Sequence, residues 1–215
     1  MGRKERRLRE QQELRQSMLE AARAIAVAEG WSNVTMRKIA DRVEYSHAAI
    51  YDYFESKDDL LQELIREGFH LLEAELRAAR AQAHDPVEAL RLVGRGYLAF
   101  AWHYPELYCL MYGLDGVAFS LSWHEQGGAL IDNVVAEAIK DVLESCHWSI
   151  NHLTERRFLL WSTAHGLVAL TMANRIGGGQ ELAVQLLDQA LTDMMLAWEH
   201  DTTSPFPASS KEAGQ

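Results

Sequence analysis

Apolar residues recur every three to four positions along most of this 215-residue chain, and no stretch alternates as a half-buried strand would. Met18, Ala22, Ile25 and Ala26 predict a first helix that ends near Gly30. Thr35 is a suitable cap for a second, whose inward face is Met36, Ile39, Ala40 and Val43 and whose outer face carries Arg37, Lys38 and Arg42. A turn at Glu44 and Tyr45 leads to Ser46, a cap for a short helix running to Phe54. Ala49, Ile50 and Phe54 are its candidates for burial, and His47, Ala48, Tyr51 and Tyr53 point outward or sideways. Ser56, followed by Asp58 and Asp59 in a favourable position against the helix dipole, opens a longer helix through Leu60, Leu61, Leu64 and Ile65 to about residue 82. Two short helices around a tight turn are a helix-turn-helix, the second being the helix that enters a DNA major groove. The core of any three-helix bundle shows the same spacing.

Beyond this point the pattern stays helical. Asp85-Pro86 pairs a cap with proline at the first helical position and opens a helix to about His103, which Tyr104-Pro105 interrupts. A short helix through Leu107 and Leu110 ends near Gly113, and another spans roughly 127–144. Thr154 is the expected cap of a strongly apolar helix ending near Arg175, and Gly177-Gly178-Gly179 precedes a last helix through Trp198. The expectation is an all-α fold of about nine helices. An N-terminal three-helix DNA-binding domain at 1–66 joins a helical domain at 67–201, and a Ser, Pro and Ala-rich tail at 202–215 is expected to be disordered.

Thr35, Ile39-Ala40, Ser46, Tyr51-Asp52-Tyr53-Phe54 and Ser56-Lys57-Asp58-Asp59-Leu60-Leu61 together resemble the DNA-binding domain of TetR-like transcriptional regulators. With the preceding helix the resemblance covers roughly the first third of the chain. The family usually has Gly where this chain has Glu44. A non-Gly residue at positive φ costs roughly 1 kcal/mol, so the turn either avoids that conformation or tolerates strain.

A formal net charge of −10 is wrong for a DNA binder until it is divided. Residues 1–66 carry as many Lys and Arg as Asp and Glu, and the remainder holds the whole acidic excess. Arg3, Lys4, Arg6, Arg7 and Arg9 form a run with Glu5 as its counter-charge. Such an arm either meets phosphates or a narrow minor groove, or merely solubilises the terminus. Between Ser46 and Phe54 there is no Arg, Lys, Asn or Gln, the residues of strong bidentate base contacts. Direct readout is therefore expected to be sparse. His47, with Arg37 or Tyr45, supplies it, Ala48 and Ala49 meet thymine methyls, Thr35, Tyr51, Tyr53 and Lys57 hold phosphates, and DNA shape does the rest.

No apolar run is long enough to span a bilayer, and no apolar stretch follows the charged N-terminus as in a signal peptide, so a cytoplasmic protein without membrane contact is expected. Cys109 and Cys146 lack CxxC spacing and read as reduced thiols.

Phe158, Trp161, His165, Val168 and Met172 recur at coiled-coil-like spacing, as do Ala183, Leu187, Ala190, Met194 and Ala197. Leu160, Leu167 and Thr171 on one helix, and Leu191 and Met195 on the other, widen both apolar surfaces. Such helices bury themselves within one chain or form a four-helix interface with a second copy. A homodimer is expected, through Phe158, Trp161, Val168, Leu187, Leu191, Met194 and Met195.

Trp161-Ser162-Thr163-Ala164-His165-Gly166 resembles the Trp…His-Gly element of the WHG-type C-terminal domain found in a subset of TetR-like regulators. The segment from Phe100 to Tyr112 is similar to the same subset, with Tyr104 added between His103 and Pro105. The resemblance implies a repressor released from its palindromic operator when a small molecule enters the C-terminal domain and shifts the long helix from Ser56. Trp102, Tyr108, Met111, Tyr112, Phe119, Trp123, Trp161 and Met172, with His103 or His165 as an orienting group, suit an apolar or aromatic effector, or else pack as core. Neither a cofactor nor a metal is expected. An enzyme is the competing class, and its constellations are missing from the sequence. There is no Gly-x-Ser-x-Gly, no phosphate-binding Gly-rich loop and no His-Glu-x-x-His. Ser162 with His165 lacks a placed acid, and Cys146, His147 and His152 lack a fourth ligand.

Overall fold

A computed structural model describes residues 2–114, 116 and 127–201 of the chain. Phe119, Trp123 and the tail from 202 lie outside them. The described residues form nine α-helices and one 3₁₀ turn, with no strand among them. They are α1 (Arg3–Glu29), the 3₁₀ turn Trp31–Asn33, α2 (Met36–Val43), α3 (His47–Ile50), α4 (Lys57–Arg80), α5 (Pro86–His103), α6 (Pro105–Met111), α7 (Gly128–Ser145), α8 (Leu153–Met172) and α9 (Gly179–Glu199). No described helix is long and apolar enough to cross a membrane.

Two compact units divide the chain at places the hydrophobic pattern does not mark. One comprises residues 1–75 and 99–131, the other 76–98 and 132–215. The boundary expected at 66/67 falls inside α4, where Leu64, Ile65, Phe69 and Leu72 are all fully buried. A helix apolar on one side through six turns offers no place for a linker. The first unit also takes in α6, whose Leu107, Tyr108, Leu110 and Met111 are buried. Tyr108 and Met111 are therefore core of this unit.

Among the described residues of that unit Trp31 is the largest fully buried side chain. Its indole Nε1 donates to the Glu106 carbonyl at 2.7 Å, and its own carbonyl accepts from Lys57 Nζ at 3.0 Å. Arg23 reaches the Glu106 carboxylate at 3.5 Å and lies 5.9 Å above the Tyr104 ring. On α4, a Cβ at Gly68 would sit 2.6 Å from Met111 Sδ and 3.1 Å from Leu107 Cγ. Glycine there lets α6 lie close against α4.

In the second unit α5 and α9 meet at Gly94, where an added Cβ would lie 3.1 Å from Leu187 Cδ2. Arg95 is bidentate to Asp188 at 3.0 and 2.6 Å, and Arg91 donates to the Asp188 carbonyl and the Thr192 hydroxyl. The buried Arg156 donates to the Ser149 carbonyl at 2.6 Å and to Asp201 at 2.8 Å, and lies 5.5 Å above the Trp198 ring. It ties the entry of α8 to the end of α9, and its charge is paired with the Asp201 carboxylate, as burial requires.

Thr154 is not the cap of α8: the helix starts one residue earlier, after His152 in the left-handed conformation at φ 60°. It stops at Met172 rather than near Arg175, because Asn174 turns to φ 53°. The expected dimer residues also divide. Val168, Leu187 and Leu191 are fully buried within their own chain, and Met195 is nearly so, which leaves these four little surface for a partner. Phe158 is exposed, and Trp161 and Met194 are half-buried.

Candidate nucleic-acid interface

The helix-turn-helix is built from three caps. Thr35 Oγ1 accepts from the Lys38 amide at 3.2 Å, Ser46 Oγ from the Ala49 amide at 3.2 Å, and Ser56 Oγ from the Asp59 amide at 3.1 Å. Each satisfies a backbone donor that the first turn of its helix leaves open. Between α2 and α3 the turn does adopt the left-handed conformation, at Glu44 with φ 60° and ψ 36°. The next amide, Tyr45 N–H, returns to the Ala40 carbonyl at 3.0 Å, a Schellman closure of α2. The turn therefore keeps the glycine geometry and carries the strain of a side chain in it.

The recognition helix is shorter than the pattern predicts. It is α-helical only from His47 to Ile50, and continues through i→i−3 bonds from Tyr51 to Ala48, Asp52 to Ala49 and Tyr53 to Ile50. Tyr, Asp and Tyr in succession are poor helix formers, and the burial of Ile50 and Phe54 decides where the segment turns into the core. What remains outward is His47, Ala48 and Tyr51, next to Tyr45, Ser46, Thr35 and Arg37, all exposed. The His47 and Tyr51 rings meet edge to face at 5.2 Å. Ala49 and Tyr53 are half-buried.

Two cations of this surface are already engaged. Lys38 pairs with Glu29. Lys57, expected as a phosphate holder, spends one of its three N–H donors on the Trp31 carbonyl, and burial lowers its pKa against the opposing pull of Asp58. Its ammonium is fixed against the 3₁₀ turn and is less available than the sequence suggests. Trp31 itself carries no signal in the pattern other than its place after Gly30.

The N-terminal run is not an extended arm. It is the first half of α1, a continuous helix from Arg3, with Glu5 closing back onto the Gly2 amide at 2.9 Å and Arg6 paired with Glu10 at 2.7 Å. Glu, Gln, Leu and Arg are strong helix formers, so the helix runs on past the core. A helix about 10 Å across does not itself enter a minor groove about 6 Å wide, so any contact there is made by side chains projecting from it.

The expected effector residues lie in both units. In the first, Tyr108 and Tyr112 rings are 4.5 Å apart and Phe69 is 6.0 Å from Tyr112, while Trp102 is half-buried and His103 exposed. In the second, Trp161 donates to the Tyr97 hydroxyl at 3.2 Å, and its ring lies 5.8 Å from that of His165. Met172 is half-buried. Burial lowers the His165 pKa, so its imidazole is neutral at physiological pH.

Residues 18–64 match the family described as bacterial regulatory proteins, tetR family, and residues 90–194 the tetracyclin repressor-like C-terminal domain. The nucleoid occlusion factor SlmA of Vibrio vulnificus is 35% identical over 100 residues, 46% of this chain and 51% of that protein. The HTH-type transcriptional repressor KstR of Mycobacterium tuberculosis is 33% identical over 86 residues, 40% of this chain and 39% of that one. The chain thus spans about half the length, or less, of these curated relatives. A protein of unknown function from Rhodococcus sp. RHA1 shares the fold with a TM-score of 0.76 at 20% identity, over 87% of this chain and 96% of that one. With matches over both its N-terminal helices and its C-terminal helical region, the chain belongs to the TetR family of bacterial regulatory proteins.

Proposed function

We propose that this chain is a homodimeric transcriptional repressor that leaves a palindromic operator when a small, uncharged, apolar or aromatic effector binds. The observation that carries the reading is the capped and exposed α3, which presents His47, Ala48 and Tyr51 beside the exposed Tyr45 and Arg37. This is a short reading surface, poor in bidentate donors, set on a rigid three-helix core. Dimerisation is supported by α8 and α9, whose Phe158, Leu159, Leu170, Leu186 and Leu196 are 42% to 54% exposed. Leu159, Gly166 and Leu170 share one face of α8, and nothing lies within 4 Å of a Cβ added at Gly166, so a second helix has room to approach. An uncharged effector is favoured because His165 is neutral and its neighbour Trp161 is aromatic.

Selection of duplexes from a random library by the full chain tests the proposal. A near-palindrome is expected, with half-sites on one face of the duplex, bound by a species of twice the chain mass. His47→Ala relaxes preference at one or two positions per half-site. Failure to enrich any sequence overturns the reading.

A further inference from the structure

The basic N-terminal half of α1 has a defined side. Lys4, Arg7, Leu8, Gln11 and Arg15 fall on one face of the helix, and the same face continues as Met18, Ala22 and Ile25, where it is buried. One stripe thus changes from apolar to basic and amide-bearing where the helix leaves the core. Beside it lies an open cleft of about 500 Å³ lined by Leu8, Gln11, Gln12, Arg15, Asp52 and Tyr53. Asp52 and Tyr53 lie in the i→i−3 bonded turn that continues α3, so the stripe borders the exit of the recognition helix. Arg15 is held in place there, bonded to Glu63 at 3.1 Å and 4.7 Å above the Phe54 ring. On the other side of the helix Arg6 is paired with Glu10, Arg9 is exposed, and a second cleft of about 670 Å³ is lined by Glu10, Glu13 and Glu20 together with Arg42 and Tyr45.

We infer that this stripe is a seat for the phosphate backbone flanking the operator half-site, held by Lys4 and Arg7 as charges and by Gln11, Gln12 and Tyr53 as neutral donors. This rests on the operator-binding reading above and deepens it. DNA is favoured over an anionic membrane because the projecting half of α1 has Leu8 and Leu14 as its apolar residues, interleaved with Glu5, Glu10 and Glu13, too little to insert among lipids. From Lys4 to Gln12 the helix rises about 12 Å, long enough to follow about three base pairs of flank. The contact reads no sequence, so it lengthens the footprint without lengthening the consensus.

The test uses a duplex enriched by selection with the full chain, compared with and without about ten flanking base pairs on each side. The full chain should bind the longer duplex about tenfold more tightly. Lys4→Ala with Arg7→Ala should abolish that difference and reduce the log-log salt slope by about two per chain, while Arg6→Ala leaves both close to the parent. Gln16→Pro keeps every charge and every proposed contact but breaks the helix, and should also lose the flank dependence, which distinguishes a helical seat from a loose basic tail. Normal selection with unchanged flank dependence and slope in the double variant overturns the seat alone. Failure to select any duplex overturns the operator-binding reading and the seat with it. Binding to vesicles of equal parts phosphatidylcholine and phosphatidylglycerol that needs Lys4 and Arg7, with flank dependence intact without them, assigns the stripe to membranes and overturns the proposal.

Discussion

Glu44 is the residue at which local strain is most readily measured. A side chain in the left-handed region costs about 1–2 kcal/mol, and glycine removes that cost while losing part of it to its looser unfolded state. Glu44→Gly should stabilise the chain by about 0.5–1 kcal/mol, read as a higher midpoint in thermal or urea unfolding. His165 gives a pH signature. Its pKa is depressed by burial, so below the ordinary imidazole value of about 6.5 the unfolded chain takes up a proton that the folded chain refuses. Stability is complete above that value and falls as pH drops from it toward the depressed folded-state pKa. His165→Gln should flatten this limb of a stability-versus-pH curve, and an unchanged slope would show that the imidazole protonates freely. The turn, its caps and the outward His47 were all legible in the sequence because cap chemistry is local. Trp31 was not. Its role depends on a carbonyl of Glu106 that lies 75 residues away, and no periodicity encodes such a pair.

At the level of helices, periodicity predicted where each one runs but not how much of its surface the chain itself consumes. Leu187 and Met194 lie on the same heptad-like stripe, yet Leu187 packs against Gly94 and is fully buried while Met194 stays half-exposed. Two variants separate the roles. Leu159→Glu combined with Leu196→Glu should give a monomer with a nearly unchanged melting temperature, measured by sedimentation and calorimetry. Leu187→Glu should instead unfold the protein, since an unpaired charge in that core costs several kcal/mol. A folded monomer from Leu187→Glu would mean that the buried packing of α9 is misplaced. The recognition helix came out shorter than its pattern because apolar spacing reports which side faces inward and says little about whether the last turn is α or 3₁₀.

For the molecule as a whole, the all-α architecture was legible in the pattern and the helix-turn-helix in the residues that resemble the TetR-like domain, whereas the division into compact units was not. Contacts set that division, and α6 joins α1 and α4 through Glu106, Leu107 and Met111 although α5 lies between α4 and α6 in the chain. On the proposed reading, α6 is the element of this unit through which an effector would act on the helix-turn-helix. Trp31→Phe keeps the apolar bulk and removes the indole donor, leaving the Glu106 carbonyl without it at a cost of about 1–2 kcal/mol. The expected outcome is a chain that still binds its selected duplex, measured by fluorescence anisotropy, but with altered release by effector. An unaltered response would place the coupling elsewhere.

That grouping also bears on how such a protein could be taken apart and rebuilt. A chimaeric sensor joined at residue 66, on the assumption that reader and receiver are separable cassettes, would remove the acceptor of the Trp31 indole and the partner of Arg23 in one cut. The transplantable part is discontinuous: residues 1–75 need residues 99–131 with them. A graft that carries both segments inherits a finished core, and one that carries only the first inherits a fold with an open seam.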